Sequence, residues 1–169
     1  MDNVLIVGCG DIGRRIAACL PHARLTGVVR SAAARKRLED AGIAPVVADL
    51  DDAALCLPQQ PPGTVVFHLA PPPRQGRRDP RTRHLLAALA GWRPARVVYI
   101  STSGVYGDCR GAWVDETWPA RPQADRAWRR WDAERQLMTW SAQTGVPVVR
   151  LRVGGIYAPD RLPEERLRA

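Results

Sequence analysis

The apolar run Val4-Leu5-Ile6-Val7 leads without a break into Gly8-Cys9-Gly10-Asp11-Ile12-Gly13 and then into an amphipathic stretch, 14–20. A strand that feeds GxGxxG into a helix is a dinucleotide-binding turn in its expected setting. Gly8 permits the tight strand-to-helix turn, Gly10 lets the backbone approach a pyrophosphate, and Gly13 lets the helix pack closely on the strand. The phosphates then rest on unpaired N–H groups of a helix N-terminus, whose first turn holds Asp11 and Ile12. The competing reading is a glycine-rich turn with no ligand.

Six apolar runs, 3–7, 25–29, 45–48, 65–69, 97–100 and 146–151, read as strands. They alternate with helical segments at 11–20, 32–41, 80–92 and 123–144, with a further short helix at 52–56. The runs are continuous and rich in Val, Ile and Leu, the pattern of strands buried on both faces. Such alternation requires right-handed crossovers, and so an α/β, three-layer αβα Rossmann fold with a parallel sheet of order 3-2-1-4-5-6. Ligands of these sheets bind beyond the carboxyl ends of the strands. A chain of 169 residues makes one domain, assigned to 1–160. The polar stretch 161–169 reads as the start of a truncated C-terminal substrate region, the substrate domain being largely missing. That stretch is also a candidate for self-association into a homodimer.

Composition excludes several classes. Hydrophobic residues at 46% and charged residues at 25% are those of an ordinary globular protein. No apolar run approaches the roughly 20 residues that cross a bilayer, and the first residues run straight into a strand; the expectation is a cytoplasmic protein without a membrane segment. Cys9, Cys19, Cys56 and Cys109 lack CxxC spacing and histidine partners, so no metal site is expected and the thiols are free. Cys9 stands in the phosphate-binding turn, where a helix N-terminus can lower a thiol pKa, although packing is the simpler role. The net charge of +8 comes almost entirely from scattered arginines, Lys36 being the one lysine. No basic strip with interleaved aromatics forms, which argues against nucleic acid and for small anionic ligands.

The residue ending the second strand chooses the cofactor: an acid there bonds the ribose 2′-OH, an arginine accommodates a 2′-phosphate. Here that residue is Arg30, twenty positions beyond Gly10, with Ser31 and Arg35 close by. The expected cofactor is therefore NADP rather than NAD. Asp49 and Leu50, after the third strand, stand where the adenine edge lies; Leu69 and Ala70, after the fourth, stand beneath the cofactor.

Further along the chain come Tyr99-Ile100-Ser101-Thr102-Ser103-Gly104-Val105-Tyr106-Gly107-Asp108, then Val114-Asp115-Glu116, then Leu151-Arg152-Val153-Gly154-Gly155-Ile156-Tyr157-Ala158-Pro159. With the glycine turn and His68-Leu69-Ala70, these segments resemble the extended and atypical short-chain dehydrogenase/reductases, the NAD-dependent epimerase/dehydratase family. The resemblance implies that Thr102, with Ser103 beside it, binds the reacting oxygen; a hydroxyl that donates and accepts suits a carbonyl becoming an alkoxide. It also implies a Tyr-x-x-x-Lys pair followed by glutamate. Aligned on Glu134, this chain has Arg126 and Arg130 in place of the tyrosine and lysine. A guanidinium stays protonated and cannot serve as a general base. Arg130 can hold the cofactor ribose as the lysine does, and Arg126 can clamp an anionic substrate. Alternatively Arg126, Arg130 and Glu134 lie at four-residue steps on a solvated helix face, with Arg130 and Glu134 as an ion pair.

Proton transfer then falls to Tyr106, Asp108, Asp115 or Glu116; His68 and His84 are weaker candidates. Trp128, Trp131 and Met138 read as packing. Gly155 replaces the asparagine that the family carries after its Leu-Arg pair. Two functions follow: an NADP-dependent oxidoreductase or epimerase/dehydratase-like enzyme acting by hydride transfer, or a non-catalytic NADP-binding sensor or protein-docking module.

Overall fold

A computed structural model describes residues 2–160 and Leu162; the region expected at 161–169 otherwise lies outside the described residues. Six strands, β1 (Asn3–Val7), β2 (Arg24–Val29), β3 (Ala44–Val47), β4 (Val65–His68), β5 (Arg96–Thr102) and β6 (Val148–Val153), pair in parallel in the order β3-β2-β1-β4-β5-β6. Helices α1 (Asp11–Ala18), α2 (Ala32–Glu39), α3 (Pro80–Ala88) and α4 (Asp125–Thr144) make every crossover except that from β3 to β4, which runs through turns and extended chain. The reversal of strand order between β1 and β4 opens a crevice at their carboxyl ends.

Local chemistry sets the helix ends. Ser31 caps α2 by accepting from the Ala34 amide at 3.3 Å. Asp79 caps α3 and accepts from the amides of Arg81 and Thr82, with Pro80 in the first turn where its missing N–H costs nothing. Gly145 ends α4 in the left-handed conformation.

Alternate residues of the central strands divide between two cores. Leu5, Val7, Val66, Val97 and Tyr99 pack against Leu85 of α3, Leu89 at its C-terminal cap, and Ala133 and Leu137 of α4. Val4, Ile6 and Val29 pack against Ala17 of α1 and Leu38 of α2. The expectation of strands buried on both faces holds for β1 and fails for β6, where Val149 and Leu151 are 36% and 42% exposed. The cause is position: β6 is an edge strand, and the side chains interleaved with those two, Arg150 and Arg152, turn toward α4. The helix expected at 52–56 is absent as well. Asp52 turns the chain by accepting from the Ala54 amide at 2.8 Å, and Pro58 disfavours helical backbone at the residue before it.

Candidate nucleotide crevice and the turn after β5

The glycine turn is pinned to β2, for the amides of Gly8 and Cys9 both donate to the Val28 carbonyl, at 3.0 and 2.9 Å. Gly8 has φ +79°, and a Cβ there would stand 2.5 Å from the Ala70 backbone. Its missing side chain thus serves the turn and the close approach of the chain leaving β4. A Cβ on Gly10 would meet nothing nearer than the Gly8 carbonyl oxygen at 4.0 Å, so the backbone there stands open. No side chain caps α1 at Gly10. A helix end left in this way suits an anion.

Beside this turn lies a cavity of about 570 Å³ whose wall includes Gly8, Gly10, Asp11, Arg30, Ser31, Asp49, Leu50 and Ala70. Three expected members are missing from the wall, and each has a physical reason. Gly13 takes the packing role expected of it instead, buried in the helix–strand contact, where a Cβ would stand 3.0 Å from the Ile6 and Cys9 side chains. Leu69 packs into the core under α1. Ile12 follows Asp11 on α1 and is rotated about 100° from it around the helix axis. Arg35 is absent too, since it pairs with Glu39 at 2.9 Å along the exposed side of α2. In its stead the wall gains Arg14, Arg37 and Arg81, which sequence reasoning missed. Helical spacing carried the signal for Arg37: with Ala34 it repeats the Ser31 face every three residues. Burial pushes the Cys9 thiol up to about 11, the opposite of an activated thiol, and its sulfur serves as packing.

At the carboxyl end of the neighbouring strand, β5 runs into a 3-10 turn, Ser103–Tyr106. Thr102 Oγ1 caps that turn by accepting from the Gly104 amide at 3.2 Å. Ser103 is exposed, while Tyr106 is buried with its ring 4.8 Å from the Arg152 guanidinium. Asp108, Asp115 and Glu116 are exposed on the following loop, and the Thr117 hydroxyl and amide hold Asp115 below the usual carboxylate range.

Glu134 overturns the solvated-face reading of α4. It has no exposed surface, accepts from Ser101 Oγ at 2.5 Å, and takes a two-pronged grip from Arg152, with Arg150 at 3.4 Å. Arg130 is not its partner. The Arg130 Nη1 donates instead to the Ile100 carbonyl at 2.8 Å and to the Tyr99 hydroxyl at 3.3 Å. Burial drives the Tyr99 phenol up to about 12 against the opposing pull of Arg130. Arg126 is exposed. Trp128 and Trp131 take the packing role, under Arg77 at 5.9 Å and Arg152 at 5.8 Å.

Beneath Arg130 lies a buried chain of polar groups. Asp79 accepts from the Thr82 hydroxyl at 2.8 Å, and Thr82 accepts from Nε2 of the fully buried His68, also at 2.8 Å. Burial, with Arg130 adding to it, lowers the His68 pKa to about 3, and the imidazole stays neutral; Asp79 is raised by its own burial. His84 bonds the Leu50 carbonyl through Nδ1. Both histidines are thus tied into the fold by hydrogen bonds.

Among the described residues no group of three or more His, Cys, Asp or Glu can hold a metal ion, and no helix is long and apolar enough to cross a membrane.

Residues 4–168 match the family model described as NAD dependent epimerase/dehydratase family. Among curated proteins none matches the chain. Solved structures share the fold. A functionally unknown conserved protein from Silicibacter pomeroyi is 31% identical, with a TM-score of 0.74 over 99% of this chain and 57% of its own. UDP-glucuronic acid 4-epimerase from Bacillus cereus, in complex with NAD, is 20% identical, with a TM-score of 0.73 over 96% of this chain and 60% of its own. A UDP-galactose 4-epimerase is 21% identical, with a TM-score of 0.81 over 98% of this chain and 62% of its own. The chain spans about three fifths of the length of these structures.

Proposed function

Because the chain belongs to the NAD dependent epimerase/dehydratase family, we propose that its crevice binds a nicotinamide dinucleotide, NADP in preference to NAD. The observation that carries the reading is the cavity wall itself: Arg30 at the end of β2, Ser31 beside it, and Arg37 two turns along α2 on the same face. A guanidinium presents a planar fork to a phosphate, and the turn at Gly10 accepts the pyrophosphate backbone.

Once bound, the nicotinamide ring supplies hydride exchange with a hydroxyl or carbonyl carbon. The protein's own groups orient the reactants and manage charge. Thr102 and Ser103 hold the reacting oxygen by their hydroxyls and donate to it as charge develops. Arg130, anchored on the Ile100 carbonyl, is a fixed cation for the ribose. It cannot take a proton, and we assign proton transfer to the Tyr106 phenol on the turn after β5, with Asp108, Asp115 and Glu116 of the following loop as the other candidates. Arg126 favours a small anionic substrate. The UDP-glucuronic acid 4-epimerase binds such a substrate, UDP-glucuronic acid, together with NAD. A homodimer and a C-terminal substrate region beginning near 161 belong to the same reading.

One observation favours a second reading, a non-catalytic NADP-binding sensor or docking module. Arginines stand at both positions of the family's proton-transfer pair, and Arg130 is committed to backbone and phenol. Sustained hydride transfer by this chain to an anionic carbonyl compound would overturn that second reading.

Calorimetric titration tests the cofactor choice. NADPH should bind at least about tenfold more tightly than NADH, a difference of about 1.4 kcal/mol. Arg30→Ala should erase the difference while retaining weak binding of both. Equal affinity of the unaltered protein for the two would refute the 2′-phosphate assignment.

A further inference from the structure

The wall facing the adenine end is built without a helix. In the sheet order β3-β2-β1-β4, the ends of β3 and β4 stand three strand spacings apart, about 14 Å. The chain crossing between them, 48–64, consists of turns and extended segments, with Leu50, Leu55 and Leu57 packed on the α3 side of the sheet. Such a segment makes few backbone bonds of its own and needs external fixing to present a defined surface.

The first turns of α3 provide that fixing. Arg81 Nε and Nη2 donate to the two Asp51 carboxylate oxygens at 2.7 and 2.6 Å, and Nη1 donates to the Pro71 carbonyl at 2.9 Å. One guanidinium thus joins the chain leaving β3 to the chain leaving β4. His84, one turn on, bonds the Leu50 carbonyl at 2.8 Å. The base of the clip is firm: Asp79, which caps this turn, is buried, its amide donates to Asp132 of α4 at 2.8 Å, and its carbonyl accepts from Gln136 at 2.9 Å. On the clipped segment, Asp49 Oδ1 accepts from the Asp51 amide at 3.0 Å, so the position of Asp51 sets that of the Asp49 carboxylate.

We infer that Arg81, acting through Asp51, is a positioning residue for purine recognition, holding Asp49 and Leu50 against the base of the bound dinucleotide. This rests on the cofactor reading above. With Asp49 held in place, its second carboxylate oxygen accepts from the exocyclic amine of adenine. Hypoxanthine presents a carbonyl at that position and is repelled. The clip therefore contributes selectivity between bases as well as affinity, which general loss of structure would not imitate.

The test compares NADPH with its hypoxanthine analogue by titration against the full chain, Asp51→Asn, Arg81→Met and Asp51→Glu. The unaltered protein should prefer adenine by about tenfold, as expected when a carboxylate loses a donor and meets an acceptor. Asp51→Asn and Arg81→Met should bring the ratio close to one, and Asp51→Glu should recover most of it. Thermal unfolding of Asp51→Asn should scarcely change, since Asp51 lies on the surface. An undiminished adenine preference in Asp51→Asn would overturn the inference and leave the cofactor reading standing. Failure of the unaltered chain to bind either dinucleotide would remove both.

Discussion

Replacing Glu134 by alanine should destabilise the protein by about 3–5 kcal/mol, the usual cost of removing one member of a buried ion pair. The carboxylate is wholly buried and satisfies Ser101 and two guanidinium groups. Alanine would leave Arg152, whose side chain is only 12% exposed, without its counter-charge, and would open a void beneath the 3-10 turn. Tyr106 should loosen in consequence, because the guanidinium against its ring is held by Glu134. In a chain of this size the melting temperature should drop by about 10 °C. Adding Arg152→Leu to Glu134→Leu should restore much of the stability, since an apolar replacement of both partners removes the stranded charge. A loss below about 1 kcal/mol in Glu134→Ala would show that the pair is open to water, contrary to its burial.

Acid should act through His68. Its folded pKa, about 3, lies below the ordinary 6.5 because burial disfavours the imidazolium. The unfolded chain therefore takes up the proton first as pH falls. The contribution is fully present above 6.5 and is lost on descending toward 3, at up to about 1.4 kcal/mol per pH unit. Asp51 and Asp115, both held below the usual carboxylate range, act in the same direction at lower pH but only weakly, being exposed, while Asp79, raised by burial, opposes them. A difference measurement isolates the histidine. His68→Phe preserves a ring beside Tyr99 and leaves the Thr82 hydroxyl donating to Asp79. Between about pH 7 and pH 5 the natural protein should lose roughly 2 kcal/mol more than His68→Phe in denaturant unfolding. Parallel pH profiles for the two would mean that His68 is protonated in the folded state.

The parts legible in the sequence were those governed by local rules. Val4 to Val7 followed by three spaced glycines specifies a strand, a turn and a helix within a dozen residues, and the strand order then follows from the handedness of crossovers. Ser31 and Asp79 mark helix starts by capping chemistry that acts over three residues. What escaped depends on contacts distant in sequence. Four-residue spacing places Arg126, Arg130 and Glu134 along one side of α4 without saying what covers that side; the cover is β6, sixteen and eighteen residues on, bringing Arg150 and Arg152. The exposure of Val149 and Leu151 likewise follows from the edge position of their strand, which no periodicity encodes. Arg81 looks like any other surface arginine in so basic a chain until the fold carries Asp51 and Pro71 to it. Gly8 is a mixed case: its turn was foreseeable, its crowding against Ala70 was not.

The claim beneath all of this is that the amide-lined end of α1 receives a diphosphate. A crystal grown with NADPH addresses it directly. The pyrophosphate should lie over the backbone at Gly10, and the adenosine 2′-phosphate between Arg30 and Arg37. Well-ordered crystals at saturating NADPH in which that crevice holds only water, or in which the dinucleotide lies elsewhere on the molecule, would contradict it.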